Sequence, residues 1–474
     1  MKKVLKIFWN NIKIILGICV IACTFYFGYN YLNKVFRTPD VDYNDSFHNM
    51  PEDSVDVIVL GSSHAQYSFV PSFFYEDTGL YSYVLGSAFQ PLKVSYQMLR
   101  EALKTQNPEM VILEVYTACL DEETVNDTRY TIAEYQMRGE EKYNTINFIE
   151  DEDKRKEYYN DFLNNHNNWK NIESIDELLS VNSDISSLFG YVENNVYLPV
   201  DNYWYSFKYD EDLDISLKED DLNAFNDIYS LCQEKDIELL LYMVPMDNMT
   251  EVAQSYLHKV WDWANERDIN YIDFLSNDEK MDIRSVIHHD GFHAHTNGAS
   301  YITNMLSNYI NDNYQFNSHS ANDKLEDLYK SNVEYLTFDV LYSEASASKF
   351  LPRIVKFPCL TLMKYSGTYL NDELLGYINQ MNLPEFSDGE DYYAVLYDGE
   401  VLAYGKQELA YDYDGHYILI NESGVYYDNE LICDKQLLNF TIFRKDNISH
   451  QTKIIDYLNG QLWDYKYDYD YNEK

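Results

Sequence analysis

Val55-Asp56-Val57-Ile58-Val59-Leu60-Gly61-Ser62-Ser63-His64 is the stretch on which the fold turns. Its β-branched, almost wholly apolar run reads as a strand buried on both faces, and it stops at a glycine followed by two hydroxyls. Four more runs share that character: Tyr81 to Leu85 before Gly86, Met110 to Val115, Ile237 to Val244 before Pro245, and Ile269 to Phe274. Helical spacing fills the gaps between them. Leu92, Tyr96, Leu99 and Leu103 follow Pro91, Leu222, Phe225, Tyr229 and Cys232 mark another helix, Val252 to Ala264 a third, and Ala299, Ile302, Leu306 and Ile310 a last one. Alternating strands and helices of this kind predict an α/β fold, a parallel sheet flanked by helices.

Outward from this core the chain changes character. Roughly Leu120 to Glu219 is polar and rich in Asn, Asp, Glu and Tyr, an expected helical and loop insertion at about 120–219. Asn311 to Asp323 reads as a polar linker. Beyond it, Tyr392 to Tyr397, an Asp398-Gly399 turn and Val401 to Tyr404 give a hairpin signal, with further short strands at Tyr417–Ile420, Gly424–Tyr427 and Asn439–Phe443. The expected division is an anchor over 1–39, an α/β domain over 40–316, and a leading helix with a small β-rich accessory domain over 323–474.

Charge separates the ends of the chain. The 474 residues hold 36 Lys+Arg against 79 Asp+Glu, a net charge of −43. No acidic residue precedes Asp40, whereas Lys2, Lys3, Lys6, Lys13, Lys34 and Arg37 do, so the body after Pro39 stands at −49. Such a body repels a phosphate backbone, and nucleic acid is excluded as a partner. Hydrophobic residues at 46% and aromatics at 16% exclude a disordered acidic chain.

Within the basic N-terminus, Ile14 to Tyr29 is almost wholly apolar, and Phe8 to Tyr31 is long enough to span a bilayer if Lys13 snorkels. Lysines concentrated before the span predict a single pass with the N-terminus inside and the body extracytoplasmic. Val20-Ile21-Ala22-Cys23 also resembles a lipoprotein processing site, although the chain stays apolar after the cysteine. Both readings tether the protein to a cell membrane. Cys119, Cys232, Cys359 and Cys433 are isolated, and no Cys-x-x-Cys exists to suggest a redox or zinc motif.

The chemistry concentrates at strand ends, where open α/β sheets place reactive groups. Ser63 is the candidate nucleophile, and Asp290-Gly291-Phe292-His293 offers a base: His293 accepts the serine proton while Asp290 orients the imidazole. Ser62 reads as holding the turn through a backbone hydrogen bond, and His64 as capping the next segment. The cluster His288, His289, Asp290, His293 and His295 is a rival as a metal site, but no second cluster supplies partners. Tyr203, Trp204 and Tyr205 in the insertion are candidates for stacking on sugar rings or for ordinary packing.

Over roughly Asp53 to Ile310 the chain resembles the SGNH (GDSL-type) hydrolase family. Gly61-Ser62-Ser63 stands at the family's Gly-Asp-Ser block, Tyr83-Val84-Leu85-Gly86 resembles the second block, and His293 with Asn297-Gly298-Ala299 resembles the Asp-x-x-His block and the helix behind it. The resemblance implies a three-layer sheet, Ser63, Asp290 and His293 as catalytic residues, and oxyanion donors from the Ser63 and Gly86 amides. The third block departs from the pattern. Glu114-Val115-Tyr116-Thr117 stands where Gly-x-Asn-Asp belongs, leaving Thr117 or Tyr116 to replace the asparagine donor.

Tethered SGNH-like bodies resemble proteins that modify cell-surface glycans, often beside a membrane-bound O-acyltransferase. The resemblance implies acyl transfer, acetyl being the expected group, to or from an extracytoplasmic bacterial polysaccharide, with no cofactor. A surface esterase with the same triad and a non-catalytic glycan-binding or assembly protein are the alternatives. A more distant likeness to the D-alanyl transfer proteins of teichoic acid is disfavoured by the −49 body, which repels a polyanionic acceptor.

Overall fold

The structure is a computed structural model, and it describes residues 2–35, 46–120, 132, 137–159, 188–194, 213–246, 249–274, 291–316, 322–344, 346–355, 359–435, 437–444, 447–455 and 462–464. Its first element, α1 (Lys2–Val35), is one continuous helix. Asn11–Leu32 within it is 22 residues long and exposed, and it is long and apolar enough to cross a membrane. At 1.5 Å per residue such a span covers about 33 Å, matching a hydrocarbon core.

The strand reading of the apolar runs agrees with the structure. β1 (Val57–Gly61) is followed by α2 (Ser63–Ser68), α3 (Pro71–Thr78), β2 (Ser82–Gly86), α4 (Leu92–Ala102) and β3 (Met110–Glu114). A 3₁₀ turn (Tyr116–Cys119) leads into the insertion, where α5 (Gly139–Asn147) and α6 (Glu152–Tyr158) are described. Then come α7 (Glu219–Lys235), β4 (Glu238–Met243), α8 (Glu251–Asn265), β5 (Asn270–Asp273) and α9 (Thr296–Asn313).

The five strands form one parallel sheet in the order β2-β1-β3-β4-β5. Every residue of β1, β2 and β3 is buried, which explains why these strands read as continuous apolar runs rather than alternating ones. The chain leaves β1 for β2 on one side and returns to β3 on the other. That reversal is the kind of switch point at which open α/β sheets place ligands, and Gly61-Ser62-Ser63 emerges there. Around the sheet, α4 packs against α7, and α3 against α9.

The helix α10 (Asp323–Ser343) spans two cores. Leu325, Tyr329 and Leu336 join the core of the parallel sheet, whereas Phe338 and Leu341 join a second one. The second core lies against α11 (Ala347–Ile354), β6 (Leu360–Ser366) and α12 (Asp372–Gln380). The antiparallel strands β7 (Asp391–Tyr397) and β8 (Glu400–Gly405) form the expected hairpin, with Asp398 and Gly399 at φ 49° and 73°. There follow β9 (Glu408–Tyr413), β10 (His416–Asn421), β11 (Gly424–Tyr427), β12 (Glu430–Cys433), β13 (Leu438–Phe443), β14 (His450–Ile455) and β15 (Leu462–Asp464).

They build a six-stranded sheet, β15-β14-β13-β6-β7-β8, and a four-stranded one, β12-β11-β10-β9. Strand period two divides their side chains. Met363, Tyr365, Tyr392, Ala394 and Leu396 face the helices, whereas Leu360, Leu362, Tyr393 and Val395 join Ile418, Ile420 and Val425 in a third core.

Candidate active site

The site begins with the tightness of the β1 end. A Cβ on Gly61 would fall 2.6 Å from the Glu114 Cβ and 2.9 Å from the Ala65 Cβ. Only glycine lets β1 pass so close to both β3 and α2. Gly86, paired with Gly61 across the sheet, is equally confined, since its added Cβ would lie 2.9 Å from the Ser62 carbonyl oxygen.

Ser62 is the N-cap of α2, its Oγ accepting the His64 N–H at 3.2 Å. The reading of Ser62 as the residue that holds the turn therefore agrees with the structure. The expected capping role of His64 does not, because Ser62 occupies the cap. His64 instead turns inward, 2% exposed, with its ring 4.0 Å from that of Tyr116 and stacked 5.1 Å from that of His293.

Ser63, the first residue of α2, is half-buried, and its Oγ lies 2.8 Å from His293 Nε2. Tyr67, one turn along, lays its ring 4.7 Å from the same imidazole. As the first helical residue, Ser63 has an amide with no intrahelical acceptor, and among the described residues it has no hydrogen-bond acceptor at all. Chemically this is a hydroxyl beside a proton acceptor, with its own N–H open to a developing negative charge.

His293 reaches this position from the loop before α9. His295 caps α9, its Nδ1 accepting the Gly298 N–H at 3.2 Å. Asn297 donates to Glu344 at 3.0 Å and accepts from Arg353 at 2.9 Å. The stretch beyond α10 thus braces the helix that follows His293. Asp290, His288 and His289 lie outside the described residues, as do Tyr203, Trp204 and Tyr205. Among the described residues no group of three His, Cys, Asp or Glu side chains is placed to hold a metal ion.

Thr117, the candidate third donor, is buried in the 3₁₀ turn after β3, whose Tyr116 packs on His64. The residue that sequence reasoning passed over is Glu114. It is fully buried, its Oε2 accepting the Ser62 N–H at 3.1 Å and the Ser62 hydroxyl at 2.8 Å, its Oε1 the Tyr116 N–H at 2.5 Å. Burial outweighs these bonds and pushes its carboxyl up to about 7. The available signal was an acid at the end of the otherwise apolar run Met110 to Leu113.

No known protein family profile matches the chain, and no curated protein does. Among solved structures, the chain is similar to a Bacteroides fragilis protein described as a "putative acylhydrolase", at 12% identity and a TM-score of 0.28, over 57% of this chain and 95% of that one.

Proposed function

We propose that the chain is a membrane-tethered serine acyltransferase of SGNH type that moves an acyl group, acetyl foremost, to or from an extracytoplasmic polysaccharide. The single observation that carries this reading is the 2.8 Å contact between Ser63 Oγ and His293 Nε2. In this reading His293 takes the Ser63 proton as Oγ attacks the acyl carbonyl. The oxyanion turns toward the Ser63 and Gly86 amides, with Thr117 as third donor. His293 returns the proton to the leaving oxygen, giving an acyl-serine; it then deprotonates the accepting glycan hydroxyl, whose oxygen takes the acyl group as Ser63 Oγ leaves and recovers the proton from His293. Asp290, three residues ahead of His293, orients the imidazole.

The wider assignment has separate supports. The apolar span of α1, with lysines before it, favours a single pass with the body outside the membrane. The strand order and the serine at the end of β1 favour a three-layer SGNH-type body over 40–316, with 323–474 as an accessory domain. A membrane-bound O-acyltransferase is a fitting donor partner for such a body. Water in place of the glycan hydroxyl turns the same intermediate into esterase chemistry, so product analysis with both acceptors present separates the two. Full-length protein in detergent, treated with a fluorophosphonate probe, should label at Ser63 and fail to label after Ser63→Ala. An unlabelled native protein favours the non-catalytic glycan-binding reading.

A further inference from the structure

We infer that Glu114 is the positioning residue of the nucleophile turn: from the end of β3 its carboxylate clamps Ser62, and so fixes the hydroxyl and amide of Ser63 for attack. This rests on the reading of Ser63 as nucleophile. Three donors converge on the one carboxylate: both donors of Ser62, at 3.1 and 2.8 Å, and the Tyr116 amide at 2.5 Å. A buried carboxylate is retained where hydrogen bonds satisfy it, and here all of them come from the two segments that must be held together. Gly61 is the complementary feature, because any side chain there would collide with Glu114.

The clamp also sets the directions of the protons. With Glu114 ionised, the Ser62 hydroxyl donates to Oε2, so its oxygen is left to accept from the His64 N–H and from His64 Nδ1, both 3.2 Å away. His64 then carries its proton on Nδ1 as it stacks on His293. A neutral Glu114 instead donates to Ser62 Oγ, and the Ser62 proton turns toward His64. The other titratable groups facing Glu114 are Tyr116 and Cys119 of the 3₁₀ turn and Tyr242 of β4. Burial raises all three, Cys119 to about 12, so they stay neutral near pH 7. His64, against Ser62, and His293, stacked on it, are the imidazoles that face the same turn.

The test measures fluorophosphonate labelling of the full-length chain in detergent, for native protein, Ser63→Ala, Glu114→Gln and Ser62→Ala, between pH 5 and 9. Native labelling should need Glu114 in its carboxylate form, so its acid limb of log rate against pH should be steeper than that of Glu114→Gln. Glu114→Gln should label about 10- to 100-fold more slowly at pH 8, with unchanged probe affinity and a shallower acid limb. A Glu114→Gln protein that labels within about twofold of native and keeps the native limb overturns the proposal. If that variant shows no cooperative melt, Ser62→Ala decides: slower labelling with a shallower acid limb supports the clamp, and native behaviour overturns it. Labelling that survives Ser63→Ala removes the nucleophile assignment itself, a failure distinct from that of the clamp.

Discussion

Ser63 Oγ and His293 Nε2 stand 2.8 Å apart although 230 residues separate them in the chain. The parallel sheet produces this proximity. β1 delivers Ser63 to its carboxyl edge, and the chain passes that edge again after β5, on its way to α9. Removing the base while keeping its bulk, His293→Gln, should slow acyl-serine formation by about 10²- to 10⁴-fold with little change in melting temperature. Burst kinetics with an activated acetyl ester would measure it, and a burst as fast as native would dismiss His293 as the base.

Gly86 and Gly376 offer a matched pair. Gly86→Ala places a methyl 2.9 Å from the Ser62 carbonyl oxygen and 3.2 Å from that of Gly61, both backbone atoms that cannot yield cheaply. It should lower both melting temperature and labelling rate. Gly376, inside α12, has nothing within 4 Å of an added Cβ, so Gly376→Ala should stabilise by about 0.5–1 kcal/mol and leave labelling unchanged. Equal effects from the two substitutions would refute the close-packing argument.

Glu114 makes stability pH-dependent in a stated direction. Its folded-state pKa, about 7, lies above the usual 4.5, so the unfolded chain ionises first as pH rises. The stability it contributes is complete below about pH 4.5 and lost as pH climbs through 7. Relative to native protein, Glu114→Gln should therefore gain on the order of 3 kcal/mol between pH 4 and pH 8. Thermal melts of both proteins across that range check the sign, and a constant difference contradicts it.

Glu344 is 0% exposed and accepts from both Asn297 and Arg353. Glu344→Ala leaves the buried Asn297 amide without this acceptor and should cost on the order of 3 kcal/mol. Because Asn297 lies four residues after His293, in the first turn of α9, the same change should also slow labelling. A double-mutant cycle with Asn297→Ala should show coupling, and strictly additive losses would separate the brace from the site.

The sequence by itself determined the parallel sheet, because strands buried on both faces must be apolar throughout, and β1, β2 and β3 are. It also marked the membrane-length helix, the Asp398-Gly399 hairpin and the serine at the end of β1, each a local pattern with a local cause. Tertiary structure alone decided what surrounds that serine. Glu114 reads in the chain as an acid closing a strand, and only the neighbouring position of Gly61 across the sheet turns it toward Ser62. His64 reads in the chain as a cap for the next segment, whereas packing against Tyr116 and His293 turns it inward. Likewise, nothing local in α10 tells that Leu336 and Phe338 serve different cores. Periodicity records which side of an element avoids water, whereas the partner it meets there is set by contacts between residues far apart in sequence.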